Sequence, residues 1–494
     1  MIRKSCTVVL YAIIIIGLIV SFYNFFNNRS LRSDEANIII NFIGGGYSDL
    51  FLPLKHYQIA PIGFLLMEKT IMELLGSSEW VFRLYPFGCF LLSIYLFYLL
   101  SAKIFKDKIA ILLACAIFST NLNLIYYGID AKQYASDVMF TILIAWVALS
   151  YKENKSFRNK LSYLLTGILS IFCSNVAIMV LAIFGLYSFF DDYKKSRNLL
   201  PISLIGASWC LFFGGYYLLF IHNNTNRSFM FDYWSNYEAF LPVDLFSASF
   251  YVFIAEKIKL LFFKVLGYHA LWFVPFVFSL FGIWSFIKKG RLDILFMIIG
   301  LISLHFILSG LKLYPFETRL VLYLCPFLIL LYVQGIAFVY EKMNQNYLLL
   351  ALPFFAMVNL VPLYLKALPI AKDEIRPILS ELEKQVNPED QIYLYRGCER
   401  QMEYYRHRFP KIKSNKNITQ GKWGSFNSSN YTPIDLVVKD SSWMLFSHVY
   451  PLSKRKKDDE AYILEEIKEL GLELIEYKKT TGASLYKIKR NPPS

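Results

Sequence analysis

The chain has 494 residues, of which 56% are hydrophobic, 18% aromatic and 18% charged, and its mean hydropathy is +0.42. Soluble proteins carry about a quarter charged residues, so this composition excludes an ordinary soluble protein and indicates a polytopic membrane protein. The formal net charge of +14 does not indicate nucleic-acid binding, because lysine and arginine lie in short clusters between apolar segments, as orientation in a bilayer requires.

Charged residues are distributed unevenly along the chain. Up to Leu365 the sequence is a series of apolar segments separated by short charged clusters, and beyond it the composition is that of a globular protein. We therefore predict two domains. They are a transmembrane domain over residues 1–365, with outer loops at 27–79 and 222–270, and a soluble domain over 366–494.

A transmembrane helix needs about 20 apolar residues. The first apolar segment begins at Thr7 and is too long for a signal-peptide core, so we predict that it is the first span. The segments that approach the required length, about eleven in number, are residues 6–26, 80–100, 108–126, 137–150, 161–173, 175–190, 199–221, 271–287, 294–309, 320–340 and 347–365. The expected fold is an all-α polytopic membrane domain.

The connections between these segments alternate between a basic and a less basic set. The basic set consists of Arg3 and Lys4; Lys103, Lys106 and Lys108; Lys152, Lys155, Arg158 and Lys160; Lys194, Lys195 and Arg197; Lys288, Lys289 and Arg291; and Lys342. Cytoplasmic loops carry the excess of lysine and arginine, so the other connections, both long loops and the tail are predicted to face outward. The sequence thus predicts a multi-pass protein of the plasma (inner) membrane with an extracytoplasmic C-terminal domain.

The tail alternates between helical and strand-like patterns, which predicts a soluble α/β domain. The expected helices are 373–385, 399–405 and 459–470, and the expected strands are 391–395, 434–438, 443–447, 474–477 and 484–488. In the outer loops, residues 53–75 and 250–266 are predicted to form helices along the membrane surface.

Two adjacent carboxylates, Asp34 and Glu35, follow the first span and are the most informative feature of the outer loops. Carboxylates placed just outside the bilayer serve as a base with a supporting acceptor, bind a cation, or are simply solvated at a helix start. The local sequence leaves these three interpretations open.

Ionisable residues also lie at the predicted outer ends of later spans. Asp130, Lys132 and Tyr134 come between the third and fourth spans, where such groups either are functional or extend to the interface. Arg319 precedes a late span and either anchors a phosphate or marks the start of that span. A nucleotide-binding loop, a zinc-ligand spacing and a nucleophile elbow are absent, so no cofactor is predicted with certainty and a divalent metal stays open.

These segments follow one another in an order that resembles a known family. They are Asp34-Glu35, then Gln58-Ile59-Ala60-Pro61 leading to Gly76-Ser77-Ser78-Glu79-Trp80-Val81-Phe82-Arg83, then Asp130-Ala131-Lys132-Gln133-Tyr134, and finally Tyr314-Pro315-Phe316-Glu317-Thr318-Arg319. In this order they resemble the polytopic glycosyltransferases of the C-type fold, and more narrowly the branch of protein O-mannosyltransferases and the lipid A aminoarabinose transferase. In the tail, residues 387–393 and 442–448 resemble the periplasmic domain of bacterial members.

The resemblance implies that a sugar is transferred, with inversion, from a polyprenyl phosphate to a hydroxyl of a protein, lipid or glycan acceptor at the outer face of the membrane. It implies that Asp34 is the general base and that Glu35 supports it, with Asp130 as a further catalytic carboxylate. Lys132, Arg319 and Tyr134 are expected at the donor phosphate. Further candidate contacts with the donor or acceptor are Lys55, His56, Tyr57 and Glu317.

This sequence departs from the family pattern at two positions. Asp130 stands where the family has the longer glutamate, and Lys132 stands where it often has arginine, which binds phosphate through two parallel hydrogen bonds. Relatives differ in their use of metal, so the resemblance leaves metal dependence open.

Two other classes of function fit a polytopic chain. A transporter or lipid flippase would require repeated halves or charged residues at mid-membrane depth, and the sequence shows neither. A membrane scaffold would leave the outward clustering of Asp34, Asp130 and Arg319 without a purpose. A glycan polymerase or ligase remains an alternative to the transferase.

Overall fold

The computed structural model describes residues 2–195, 198–222, 224, 226–343, 354–355, 370–421, 442–449, 458–469 and 472–489. The chain divides into two compact units. The membrane unit comprises Met1–Phe26 and Gly45–Leu368, and the second unit comprises Asn27–Gly44 and Pro369–Ser494. We call Asn27–Gly44 the first-loop segment. The sequence-based division placed this segment with the transmembrane domain, whereas in the structure it packs with the C-terminal residues.

Seven helices within the described residues are long and apolar enough to span a membrane. They are Ile2–Phe26, Val81–Ile104, Tyr134–Glu153, Leu200–Ile221, His269–Lys288, Leu292–Gly310 and Leu322–Met343. The predicted spans 161–173 and 175–190 are the helices Phe157–Cys173 and Ala177–Lys195. The last predicted span, 347–365, falls largely outside the described residues. The helical membrane domain is confirmed, but the count of about eleven spans is not.

The third predicted span is broken at Asn121. Its two parts, Lys108–Thr120 and Leu122–Gly128, are bent by 55° and together would form an eighth span. The Asn121 side chain caps the second part by accepting from two backbone N–H groups, and its amide donates to the carbonyls of Val265 and Leu266 at 3.0 and 3.1 Å. The bend is therefore fixed by hydrogen bonds, and it sets the direction in which the chain approaches residues 130–134.

Close helix packing depends on two glycines. A Cβ on Gly335 would lie 1.7 Å from the carbonyl oxygen of Phe278, and one on Gly282 would lie 2.1 Å from that of Leu331. Small residues allow membrane helices to approach this closely. The helix Tyr134–Glu153 is surrounded by its neighbours, and 83% of an apolar stretch of 18 residues within it is buried. Residues 130–134 are thus attached to one of the most enclosed elements of the bundle.

The described part of the second unit contains a five-stranded sheet, which confirms the predicted α/β tail. Its strands are β1 Gln391–Leu394, β2 Ile418–Gln420, β3 Ser442–Ser447, β4 Glu473–Thr480 and β5 Ala483–Lys489, in the order β2-β1-β3-β5-β4. Strand β1 is parallel to β2 and β3, and β5 is antiparallel to β3 and β4. Strand β2 was not predicted from the sequence, and the predicted strand 434–438 lies outside the described residues.

The helices of this unit are Ser33–Ile39, Arg376–Gln385, Glu399–Tyr405, Pro410–Ser414 and Asp459–Glu469. The first of these belongs to the first-loop segment, and the others precede or connect the strands. In the membrane unit, the outer helix predicted over 53–75 begins only at Ile62, because Pro61 holds an extended conformation at its N-cap. The helix predicted over 250–266 is Ala248–Leu260 followed by a π-helical turn, Leu261–Val265.

Candidate active site

Asp34 lies in the first turn of the short helix Ser33–Ile39, where the amide groups at the helix start favour a negative charge. Its side chain is 29% exposed, and Oδ2 lies 3.9 Å from Nη2 of Arg32. The carboxylate is therefore accessible and has a cation beside it, as a group that must accept a proton from an acceptor hydroxyl requires.

Glu35, the neighbouring carboxylate, has a different environment. Its side chain is fully buried, Oε2 accepts from the backbone N–H of Arg32 at 2.9 Å, and Oε1 lies 3.9 Å from Arg29. This is a capping-box arrangement, in which a glutamate at the third helical position satisfies an N–H that the helix leaves unpaired. Glu35 thus supports Asp34 by fixing the start of the helix that carries it.

In the membrane unit, Asp130 and Lys132 are both buried directly before the helix Tyr134–Glu153. The backbone N–H of Lys132 donates to the carbonyl of Asp130 at 2.6 Å, which folds this short connection on itself. The Lys132 side chain is 6% exposed, and its ammonium donates to Oε1 of Gln58 at 2.7 Å. This hydrogen bond to an amide oxygen orients the ammonium of a nearly buried lysine.

Gln58 is held by a network of its own. Its amide donates to the carbonyl of His56 at 2.9 Å, and Asn226 donates to the carbonyls of Leu54 and Gln58 at 2.8 and 3.0 Å. The ring of Tyr57 also stacks on Phe229, with 4.0 Å between centroids. The loop before the helix Ile62–Leu75 is thereby fastened to the helix Asn226–Asn236.

His56 and Tyr57 both have a left-handed backbone, with φ of 58° and 56°. Such residues other than glycine cost about 1–3 kcal/mol each and persist only where the surroundings impose the conformation, often at functional sites. The candidates Lys55, His56 and Tyr57 thus lie on a strained loop that delivers Gln58 to Lys132.

The loop 311–321 carries the last group of candidates. The guanidinium of Arg319 lies 5.2 Å from the ring centroid of Trp234. Glu317 accepts from the backbone N–H and hydroxyl of Thr318 at 2.8 and 2.9 Å, and its charge opposes the lowering of the pKa of Lys257 by burial. Burial also raises the pKa of Tyr314, and the nearby groups Asp137, Tyr323 and Tyr134 add to that effect, with Asp137 the largest of the three.

Glu68 is a buried carboxyl that the sequence did not single out. It lies on the inner face of the helix Ile62–Leu75 and is 1% exposed, and neither of its oxygens has a hydrogen-bond partner among the described residues. Burial raises its pKa well above the ordinary value for glutamate. A neutral, protonated side chain is the form that such an environment favours.

Metal ions in proteins are usually bound by clusters of histidine, cysteine, aspartate or glutamate side chains. No group of three or more such side chains in the part of the chain that the structure describes could hold a metal ion. The described residues of the two units thus offer cationic side chains and an accessible carboxylate, but no cluster with the composition of a metal site.

Known proteins resemble this chain in part of its sequence and in its fold. The family model for dolichyl-phosphate-mannose-protein mannosyltransferase matches residues 60–214. The crystal structure of ArnT from Cupriavidus metallidurans in the apo state matches with a TM-score of 0.54 at 11% identity, covering 97% of each chain. The same protein bound to undecaprenyl phosphate gives a TM-score of 0.52 at 10% identity, again covering 97% of each chain. A search of curated proteins found no match.

The class of protein follows from these matches: the chain is a multi-pass membrane protein with the C-type glycosyltransferase fold, as the sequence resemblance implied. A solved protein to which it is similar along almost its whole length is ArnT from Cupriavidus metallidurans. The family model covers the Asp130–Tyr134 region but neither Asp34 nor Arg319.

The structure brings together some of the predicted residues and separates others between the units. Lys132 shares a network with the loop that carries His56 and Tyr57, whereas Asp34 belongs to the second unit. The convergence of Asp34, Asp130 and Arg319 on one cavity therefore stays a prediction.

Three positions in well-defined environments had been given no role from the sequence: Gln58 and Asn226, which form hydrogen bonds, and Glu68, which is buried. Gln58 stood inside a motif of the resemblance, so the motif was a signal for it. Asn226 was recognisable only from its hydrogen bonds in the folded structure, and Glu68 only from its burial.

Proposed function

We propose that this protein is an inverting glycosyltransferase that moves a sugar from a polyprenyl phosphate to an acceptor hydroxyl at the outer face of the plasma membrane. Asp34 is the base that removes the acceptor proton. Lys132 and Arg319 bind the donor phosphate, with Tyr134 beside them, and stabilise the charge that grows on it as the sugar leaves. Direct displacement by the acceptor oxygen inverts the anomeric carbon.

The observation that carries this proposal is the environment of Lys132. Its ammonium is nearly buried, and it is oriented by the neutral amide of Gln58 on a strained loop that Asn226 holds in place. Such a network fixes the position of a cation in advance, and a preorganised cation is what a site for a lipid phosphate requires. The structure of ArnT with undecaprenyl phosphate, which has the same fold, supports the polyprenyl class of donor.

The donor class is tested directly with purified protein. Protein extracted in mild detergent is analysed by mass spectrometry for bound lipids, and it is then incubated with polyprenyl phosphates carrying labelled hexose, pentose or aminopentose. Transfer of label from one of them, with release of the lipid phosphate, is the expected result. If neither the lipid nor the transfer is found with any donor while nucleotide sugars are used, the donor assignment is wrong.

The orientation of the C-terminal unit is tested separately. Single cysteines placed at the exposed positions Lys468 and Lys479, in a variant without the native cysteines, are predicted to react with an impermeant maleimide in intact cells. Labelling that requires a permeabilised membrane would place the tail in the cytoplasm.

A further inference from the structure

The first-loop segment is held by residues from the far end of the chain. The backbone N–H and hydroxyl of Ser30 donate to the carboxylate of Glu374 at 3.0 and 2.9 Å. The N–H of Leu31 donates to the hydroxyl of Tyr405 at 2.9 Å, and its carbonyl accepts from Gln401 at 2.7 Å. These partners lie 344 to 374 residues further along the sequence. The segment thus depends on the C-terminal residues for its conformation.

A chain of charged side chains continues from these anchors to the proposed base. Nη2 of Arg32 lies 3.9 Å from Oδ2 of Asp34, and Nε of the same guanidinium lies 3.6 Å from Oδ2 of Asp373. That Asp373 oxygen also accepts from Nδ1 of His448 at 2.9 Å. One guanidinium therefore bridges two carboxylates, and a histidine holds the carboxylate that lies on the C-terminal side.

The positions of Asp373 and His448 are themselves fixed by the turn between β4 and β5. Gly482 in this turn has φ of 69°, and a Cβ there would lie 1.7 Å from the carbonyl oxygen of Lys372. The backbone N–H of His448 donates to the carbonyl of Gly482 at 3.3 Å, and His448 has a left-handed φ of 53°. A strained residue of this kind persists only where its surroundings impose the conformation.

We propose that Asp373 and His448 are positioning residues for Asp34 and act through Arg32. Asp373 binds one side of the guanidinium and His448 fixes Asp373, so the other side of Arg32 is presented to Asp34 in one orientation. The C-terminal residues of the second unit thereby hold the proposed base in position. The catalytic part of this inference rests on the proposed function, because it takes Asp34 as the base, whereas the positioning part does not.

The test compares two aspartates of the second unit with nearly equal burial, Asp373 at 7% and Asp390 at 6% exposure. Asp390 accepts from Trp443 and from the backbone N–H of Asn387, so its contacts lie within the tail. Each is changed to asparagine in the full-length protein, and hydrogen exchange of residues 31–40, the thermal midpoint, kcat and donor KM are measured. The variants His448→Ala and His448→Gln are measured beside them.

Asp373→Asn is expected to accelerate hydrogen exchange in residues 31–40. It should also lower kcat by at least about tenfold and change donor KM by less than about twofold, because a misplaced base slows the chemical step without weakening the donor site. His448→Gln keeps an N–H donor, so its hydrogen exchange and kcat should be closer to the wild-type values than those of His448→Ala. Asp390→Asn should change neither the local exchange nor kcat.

Equal effects of Asp373→Asn and Asp390→Asn on exchange and on kcat would overturn the proposal, since that result describes general destabilisation. If wild-type protein transfers no sugar from any polyprenyl phosphate, the proposed function fails, and the exchange measurement alone then decides whether Asp373 and His448 position the segment.

Discussion

The two units hold their candidate site residues by different physical means. Lys132 directly precedes a helix enclosed by other helices and is oriented by one short loop, so packing and local strain define its position. Asp34 lies on a helix of seven residues whose inner face is buried, and hydrogen bonds and ion pairs to the C-terminal residues also define the position of its segment. The proposed phosphate ligand Lys132 is thus held within the helical bundle, whereas the proposed base depends in addition on polar contacts that single substitutions can remove.

The largest effect is expected from the base itself. Asp34→Asn keeps the side-chain shape and removes the proton acceptor, so it should lower kcat by about 10²–10⁴-fold. Donor binding and expression should remain close to wild type, because the proposed phosphate ligands belong to the other unit. Asp49→Asn, the same substitution at an exposed position of the first outer loop, is the control.

Near-normal turnover of Asp34→Asn in an assay with labelled polyprenyl-phosphate sugar would remove Asp34 from the mechanism. Asp130 and Glu317 would then be the next carboxylates to test.

A smaller effect is expected from the donor side. Arg319→Ala should raise donor KM and lower kcat, because its proposed partner is charged in the ground state as well as in the transition state. Charge-assisted hydrogen bonds contribute about 1.5–3 kcal/mol, which corresponds to roughly 10–100-fold in donor affinity. The control is Arg227→Ala, since Arg227 also lies over an aromatic ring, 5.8 Å from the centroid of Tyr217. Equal donor affinities in the two variants would exclude Arg319 from the phosphate site.

The neutral partner of Lys132 gives a sharper test of the membrane unit. Gln58→Glu replaces an amide by a carboxylate at 2.7 Å from the ammonium and would neutralise its charge. Donor KM should rise by about tenfold or more, whereas Gln58→Met, which adds no charge, should have a smaller effect. Donor titration by intrinsic fluorescence or calorimetry measures both variants. A donor affinity in Gln58→Glu equal to or above that of wild type would contradict the role of Lys132 at the phosphate.

The turnover of Glu35→Gln should fall between that of wild type and that of Asp34→Asn. Glutamine retains an acceptor for the backbone N–H of Arg32 but loses the charge that faces Arg29. The expected result is a lower thermal midpoint with kcat reduced by less than about tenfold. A loss of turnover as large as that of Asp34→Asn, at unchanged stability, would show that Glu35 takes part in the chemistry directly.

The smallest effect on activity is expected at Glu68. Its raised pKa means that the folded state favours the neutral form, so Glu68→Gln should leave turnover almost unchanged. The folded protein holds this proton more tightly than the unfolded chain, so its stabilising contribution is complete below the ordinary glutamate pKa of about 4.3. That contribution is lost as the pH rises through the folded-state value. Thermal midpoints measured against pH should fall more steeply in wild type than in Glu68→Gln, and parallel curves would contradict the assignment.

The sequence predicted those features that depend on local pattern. Apolar segment length and the alternation of basic loops identified the helical membrane domain, and the period of the tail identified an α/β domain with strands at β1, β3, β4 and β5. Strand β2 has three residues, of which two are exposed, so it carries no apolar signal. The division between units could not be predicted either, because it depends on contacts such as that of Ser30 with Glu374.

The candidate site residues show the same difference between features that depend on local sequence and features that depend on contacts between distant residues. Asp34, Lys132 and Arg319 were found because they occur in ordered motifs of a known family. Their supporting residues were given no role, since Asp373 lies outside the motifs and His448 only ends a strand that resembles bacterial members. A hydrogen bond between residues separated by 75 positions leaves no periodic trace in the sequence.

The distance in sequence between the first-loop segment and its partners has a consequence for biosynthesis. Ribosomes add about 5–20 residues per second, so the roughly 350 residues between Ser30 and its anchors take on the order of 20–70 s to synthesise. During that interval the nascent segment has left the ribosome without the groups that fix its conformation. The carboxylate proposed as the base can therefore reach its final position only after the residues from Asp373 to His448 have been synthesised, so the proposed site is assembled long after its first residues leave the ribosome.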